Sequence, residues 1–268
     1  MIAVAEACRN VSCTGAEPVA LTDCLNFGNP ERPDVYYQLE ECIKGMARAS
    51  EALGAPIVSG NVSLYTETQG VGIYPTPVIG AVGLLEDARL HVGVGFRDAG
   101  DIVVLLGRSG VHGEASELAG AEYLELVHGL VAGQPSIDLE LETAVQRVCR
   151  RLVRDRLVRS AHDCSDGGLA VALAECCIAG DRGFVGELPL TGRWDAALFG
   201  EGQSRIVVSV APSDVDAVEE MCREEGVPWV TLGATGGTSM TIPGLVDASL
   251  EALADAWRNG LERAISAT

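Results

Sequence analysis

Residues 55–68 read Ala55-Pro-Ile-Val-Ser-Gly-Asn-Val-Ser-Leu-Tyr-Thr-Glu-Thr68, and the organisation of the chain follows from them. The apolar run Ala55 to Val58 leads into Ser59-Gly60. Polar and apolar residues then alternate, so an extended segment would carry Asn61, Ser63 and Tyr65 on one face and Val62 and Leu64 on the other. The first face reads as a site and the second as core. Gly60 lacks a Cβ where the backbone leaves the apolar run, which lets a bulky ligand approach the main chain. An ordinary half-buried strand with a bulge at the glycine fits the same pattern.

Elements of both kinds flank this stretch. Tyr36, Leu39, Ile43, Met46, Ala47, Ser50 and Leu53 recur at helical intervals, with Pro33 ahead of them and Gly54 at the stop. Further upstream, Val19 to Leu21 reads as a buried strand ending at Asp23, and the cluster Asn26, Gly28, Asn29 and Pro30 forces a polar loop. A carboxylate at a strand end faces ligands or caps a turn, and both readings stand. Downstream, Gly70 to Leu85 alternates small and apolar residues, while Pro75 and Pro77 restrict that part to an edge or the first turn of a strand. The segment Met1 to Asn10 has a helical pattern with no leading strand or N-cap, so the chain reads as part of a longer protein.

Gly93, Gly95 and the run Arg97 to Asp101 mark a boundary. Two domains are therefore expected, an α/β ligand-binding domain over residues 1–97 and a second α/β domain over 98–268. In the second, the apolar strand Ile102 to Leu106 enters a glycine-spaced turn, Gly107 to Gly113, before a helix over 114–131. That turn has neither the Lys-Ser/Thr of a P-loop nor dinucleotide-binding spacing. A helix over 139–158 pairs an apolar stripe (Leu141, Val145, Val148, Leu152) with a basic ridge of Arg147, Arg150, Arg151 and Arg154. Such a ridge commonly faces solvent, and an acidic chain offers it partners. Ala161-His-Asp-Cys-Ser-Asp-Gly-Gly-Leu169 opens another helix, either as a capping turn or as an anion-binding start with free amides at Gly167 and Gly168. A helix over 213–225 with Ser213 and Asp216 as a cap, strands at 229–232 and 239–242, and a final helix with a core stripe at Leu250, Leu253, Trp257, Leu261 and Ile265 complete the reading.

Composition restricts the function. The 268 residues are 47% hydrophobic, enough for real cores, and the net charge of −19 with a pI near 4.5 leaves no surplus of cations for nucleic acid backbones. An anionic ligand must be met by backbone amides, a helix N-terminus or a bound cation. The nine cysteines form no Cys-x-x-Cys pair and read as reduced thiols of a cytoplasmic protein. No apolar run reaches the ~18 to 20 residues that span a bilayer.

Four motifs taken together, Leu21-Thr-Asp-Cys-Leu-Asn-Phe-Gly-Asn-Pro30, Ser59-Gly-Asn-Val-Ser-Leu-Tyr65, Pro75-Thr-Pro-Val-Ile-Gly80 and Ala161 to Leu169, resemble the phosphoribosylformylglycinamidine synthase family, small synthetase-subunit type. The resemblance covers essentially the whole chain. It implies two consecutive domains of the aminoimidazole ribonucleotide synthetase type, matching the second of two such pairs in the family and beginning after that pair's first strand. It further implies contacts of Asp23 and Gly60 with ATP, an Asn61 oxygen on Mg²⁺, and a Ser63 contact with formylglycinamide ribonucleotide. Mg²⁺ takes hard oxygen ligands, so a neutral amide oxygen serves only if carboxylates complete the shell.

The implied reaction is ATP-dependent amidation of an amide to an amidine, with ammonia from a glutaminase subunit and a small accessory subunit in the assembly. The catalytic groups would lie in the absent first pair, leaving this chain alone inactive, and a homodimer is one way to cover its sheet edge. The family has Asn where Thr66 stands and Gly-Gly-Ser where Ala119-Gly120-Ala121 stands, and its ATP-contacting lysine would fall before Met1. Alternatives are another enzyme of the superfamily, such as aminoimidazole ribonucleotide synthetase, which fits the Asp23 to Pro30 motif poorly, and a non-catalytic scaffold.

Overall fold

A three-stranded sheet and a seven-stranded sheet share one helix in the computed structural model, which describes residues 1–266. The N-terminal elements are α1 (Ile2–Cys13), β1 (Glu17–Asn26), α2 (Pro33–Leu53), β2 (Ile57–Ser63), the short pair β3 (Glu67–Thr68) and β4 (Val71–Gly72), and β5 (Thr76–Leu84). Strand β1 is central, parallel to β2 and antiparallel to β5. Pro77 is therefore on an edge strand, where its missing N–H costs no ladder bond to a further strand.

The second half comprises β6 (Ile102–Leu106), β7 (Val111–Gly113), α3 (Glu122–His128), α4 (Leu139–Arg154), β8 (Ser160–Asp163), α5 (Gly168–Gly180), β9 (Phe184–Gly186), β10 (Leu190–Gly192), α6 (Trp194–Phe199), β11 (Ile206–Val210), α7 (Val215–Glu224), β12 (Trp229–Thr235), β13 (Ser239–Ile242), β14 (Val246–Ser249) and α8 (Leu250–Ser266). The large sheet runs β14-β13-β9-β12-β6-β11-β8, with β10 and β7 paired separately. Its central strand β6 is apolar throughout, and β11 is apolar apart from the buried Ser209, because both faces are covered. Val104, Leu106, Ile206 and Val208 pack with α4, while Val103, Leu105 and Val207 pack with α5.

Helix α1 belongs to both halves. Val4 and Cys8 join the core under the small sheet with Leu21, Leu25, Phe27 and Met46, whereas Cys13 packs with Val145, Cys149 and Leu152 of α4. A buried polar cluster crosses the same junction. Arg9 Nε donates to Glu142 Oε1 at 2.8 Å, Arg9 Nη2 to Gln203 Oε1 at 2.8 Å, and Ser204 Oγ to Glu142 Oε2 at 2.6 Å.

Several elements depart from the sequence reading. The strand placed at Val19 to Leu21 continues to Asn26, so Asp23 lies inside it rather than at its end. The helix expected over 114–131 is a 3-10 turn at Ala115–Leu118 followed by the short α3, because Gly120 and Gly129 both take positive φ. Residues Pro212–Asp214 form a 3-10 turn with no side-chain cap from Ser213. In α8, Leu250 and Leu253 reach the core, whereas Trp257 and Leu261 are exposed.

Candidate functional site

The parallel ladder between β1 and β2 sets Asp23 opposite Gly60, Cys24 opposite Asn61, and Asn26 opposite Ser63. Residues directly opposite in a ladder share a face. Asp23 and Gly60 therefore lie on the helix-covered side with Leu21 and Leu25, and Asn61 and Ser63 lie on the open side. The Asp23 carboxylate occupies the space beside Gly60: a Cβ built there would come within 2.7 Å of Asp23 Cγ. On the open side Asn61 Nδ2 donates to Ser63 Oγ at 3.4 Å and approaches Cys24 Sγ at 3.9 Å, while Ser59 Oγ donates to Thr22 Oγ1 at 2.9 Å. The four residues singled out in the sequence come together at one end of the sheet, with their side chains divided between its two faces.

The end of β2 is clamped to the polar loop. Phe27 N donates to Ser63 O at 3.0 Å, Tyr65 N to Gly28 O at 3.0 Å and Thr66 N to Phe27 O at 3.1 Å. Tyr65 takes φ of +58°, a left-handed conformation costly for a residue with a Cβ. It has therefore left the strand, and the alternating face expected to run from Asn61 through Ser63 to Tyr65 stops at Ser63. The Tyr65 hydroxyl instead reaches Glu31 Oε1 at 3.5 Å. On the face expected to be core, Leu64 packs against the core under the small sheet, whereas Val62 on the edge strand is 54% exposed.

The open side is polar at one end and apolar at the other. Val78 stands opposite Cys24, Val82 opposite Ala20 and Leu84 opposite Glu17, and the three apolar side chains are 52%, 61% and 61% exposed.

The glycine pair at 167–168 does not leave amides free for a ligand. Gly167 N and Glu122 N both donate to Glu201 Oε1 at 2.9 Å, so a carboxylate of the chain occupies the anion position. Burial raises the Glu201 pKa and the two amides oppose the rise. Both glycines take positive φ, and a Cβ at Gly168 would come within 2.9 Å of Leu198 O. The pair thus serves close packing. His112 in the Gly107 to Gly113 turn bonds Thr191 Oγ1 at 2.6 Å, with Arg108 paired to Glu117 at 2.9 Å.

Sequence reasoning missed His162. Its Nε2 lies 3.0 Å from Glu175 Oε2 and its Nδ1 3.3 Å from Asp163 Oδ1. Burial alone would lower its pKa, but the two carboxylates outweigh burial and raise it to about 9. Arg9 was missed as well, although its spacing of four from Ala5 and Cys13 places it on the buried stripe of α1 and could have revealed it.

At the open face the donors suited to a metal are neutral oxygens. Asn61 offers a hard amide oxygen, and among the described residues no group of three or more His, Cys, Asp or Glu could hold an ion. These residues fit one position of a Mg²⁺ shell and do not make a site alone. Among the described residues no helix is long and apolar enough to cross a membrane.

Two family models match the chain in succession. Residues 1–85 match the family described as AIR synthase related protein, N-terminal domain, and residues 98–255 match its C-terminal domain. The phosphoribosylformylglycinamidine synthase subunit PurL of Thermomicrobium roseum is 53% identical over 266 residues, covering 97% of this chain and 36% of the relative. That of Moorella thermoacetica is 48% identical over 265 residues, with 97% and 36% covered. The chain thus spans little more than a third of the length of these relatives. Among solved structures, T. maritima PurL complexed with FGAR superposes with a TM-score of 0.73 at 20% identity, covering 94% of this chain and 42% of that one. E. coli HypE, a hydrogenase maturation protein, superposes with 0.69 at 18% identity, covering 94% and 78%. At such identities the superpositions speak for the fold.

Proposed function

The chain belongs to the AIR synthase related protein family, and from that premise we propose that it forms one wall of the site at which formylglycinamide ribonucleotide is amidated to its amidine at the expense of ATP. The observation that carries the reading is the exposed polar row on the open face of β1 and β2, where Asn61 and Ser63 stand one strand interval apart with no core against them. Ser63 would hydrogen-bond the ribonucleotide. Asn61 would give its side-chain oxygen to Mg²⁺, which supplies charge neutralisation for the phosphates when bound. Asp23 and Gly60 would meet ATP, acting from the face of the sheet opposite to Asn61 and Ser63.

No side chain in this row is an acid, a base or a nucleophile suited to the amidation. The contribution of this chain is binding and orientation, and these lower the barrier only when the remaining groups are supplied. The surface that supplies them would cover the apolar half of the same face, at Val78, Val82 and Leu84, and a further copy of this fold preceding it in a longer chain fits that role. A glutaminase subunit and a small accessory subunit would provide ammonia. The curated PurL relatives, each described as a subunit and far longer than this chain, support an assembly of this kind.

Calorimetry with Mg-ATP tests the proposal directly. Micromolar binding that disappears in Asn61→Ala supports a nucleotide wall on this face. Absence of heat at millimolar nucleotide turns the reading to a scaffold whose sheet face serves only as an interface.

A further inference from the structure

The basic ridge of α4 takes no part in the site above. Arg147, Arg150, Arg151 and Arg154 are spaced at three, one and three residues, which aligns their guanidinium groups along one side of the helix. That side forms a wall of a cleft of about 480 Å³ between the two halves of the molecule. The facing wall is Leu84, Leu85 and Leu90, with Glu17 and Asp87 at its rim. The cleft opens at the start of β1, seven residues and about 23 Å along the strand from the position that faces Asn61.

The guanidinium groups are held in place before any ligand arrives. Arg150 donates to Ser12 Oγ at 2.9 Å and pairs with Glu17 at 2.6 Å, and Arg147 pairs with Glu225 at 2.7 Å. Arg151 pairs with the same Glu225 carboxylate, so one acid orients two cations. Each guanidinium has five N–H donors and uses only some of them here. Four arginines line the cleft against Glu17, Glu86 and Asp87, and Asp87 is itself held by Arg89 at 2.7 Å. Arg154 pairs with Asp155 at 3.2 Å, so each arginine of the ridge is oriented by a carboxylate, and what the ridge offers the cleft is a row of directed N–H donors rather than net charge.

We infer that this cleft is a second, independent binding site for a phosphorylated small molecule, whose phosphate is received by the Arg147 to Arg154 ridge and whose less polar body lies on Leu85 and Leu90. The planar fork of arginine matches phosphate oxygens in pairs. The volume falls within the range of small-molecule sites, and an apolar wall facing a few convergent polar groups is their usual construction. Because α4 and the end of β5 belong to different halves of the chain, occupation would tie the two together.

The probe is inorganic pyrophosphate, titrated calorimetrically into the whole chain in EDTA at low salt, which removes any metal-dependent binding at Asn61. One equivalent should bind with a Kd on the order of 0.1–1 mM, unchanged in Asn61→Ala. The Arg147→Gln, Arg154→Gln double variant should weaken binding about tenfold or more. Both side chains are substantially exposed, and pairs of this kind contribute little to stability, so the double variant should unfold at the wild-type temperature. No heat up to about 10 mM pyrophosphate, equal affinity in the double variant and the wild type, or loss of binding in Asn61→Ala alone would each overturn the inference. Failure of the nucleotide wall would appear separately, in the Mg-ATP titration.

Discussion

Arg9 and Glu142 stand 133 residues apart in the chain and meet as an ion pair at 2.8 Å, both side chains having zero exposure. The pair joins α1 to α4 and is completed by Gln203, Ser204 and Gln146. Arg9→Met leaves Glu142 buried without its cation and should lower the unfolding free energy in urea by about 3–5 kcal/mol. Replacing both residues with methionine should recover much of that loss, because the penalty lies in the uncompensated charge. Equal losses in the single and double variants would show that packing, not charge, sets the effect.

Gly60 is tied to Asp23 by the absence of a side chain. Gly60→Ala pushes a methyl group into the Asp23 carboxylate and should displace it from its place beside β2. Mg-ATP affinity should then fall about tenfold while the circular dichroism spectrum is retained. Gly60→Ala with unchanged affinity would remove Asp23 from the nucleotide wall.

His162 predicts a stability loss in alkaline solution. The carboxylates of Asp163 and Glu175 raise its folded pKa to about 9, above the ordinary value of 6.5. The charged form is favoured by folding, so the contribution is complete below pH 6.5 and disappears as pH rises through about 9. Urea midpoints measured across that window should decline in the wild type and stay flat in His162→Gln. Parallel curves in the two proteins would rule out the histidine as the source.

The thiols should react in two classes. Cys24 and Cys42 are partly exposed, and the other seven cysteines are buried. Burial raises the pKa of Cys8 and Cys164 to about 11 and of Cys177 and Cys222 to about 12, leaving almost no thiolate at neutral pH. Maleimide labelling read by mass spectrometry should find adducts at Cys24 and Cys42 in the native protein and at all nine in urea. Rapid native labelling of Cys164 or Cys177 would mean that α5 opens locally.

The motifs, the helix ahead of the key stretch and the apolar strand β6 were legible because each depends on local periodicity and turn chemistry. The ridge on α4 was legible as a pattern and not as a cleft wall, since the facing leucines lie over fifty residues upstream. The failures have one cause. Tyr65 leaves its strand because the loop at Phe27 and Gly28 claims its amide, and Gly167 gives its amide to Glu201, which follows 34 residues later. Both are decided by partners distant in the chain.

By itself, therefore, the sequence determined most element types, because spacing and glycine placement are written locally, while Asp23, Gly60, Asn61 and Ser63 were singled out by the family resemblance of their motifs. Tertiary structure alone decided that Asp23 and Asn61 face opposite sides of the sheet, since a face is assigned only when the register of β1 against β2 is set. It alone decided that Arg9 is buried against Glu142, because a charge enters a core only when the fold delivers its counter-ion there.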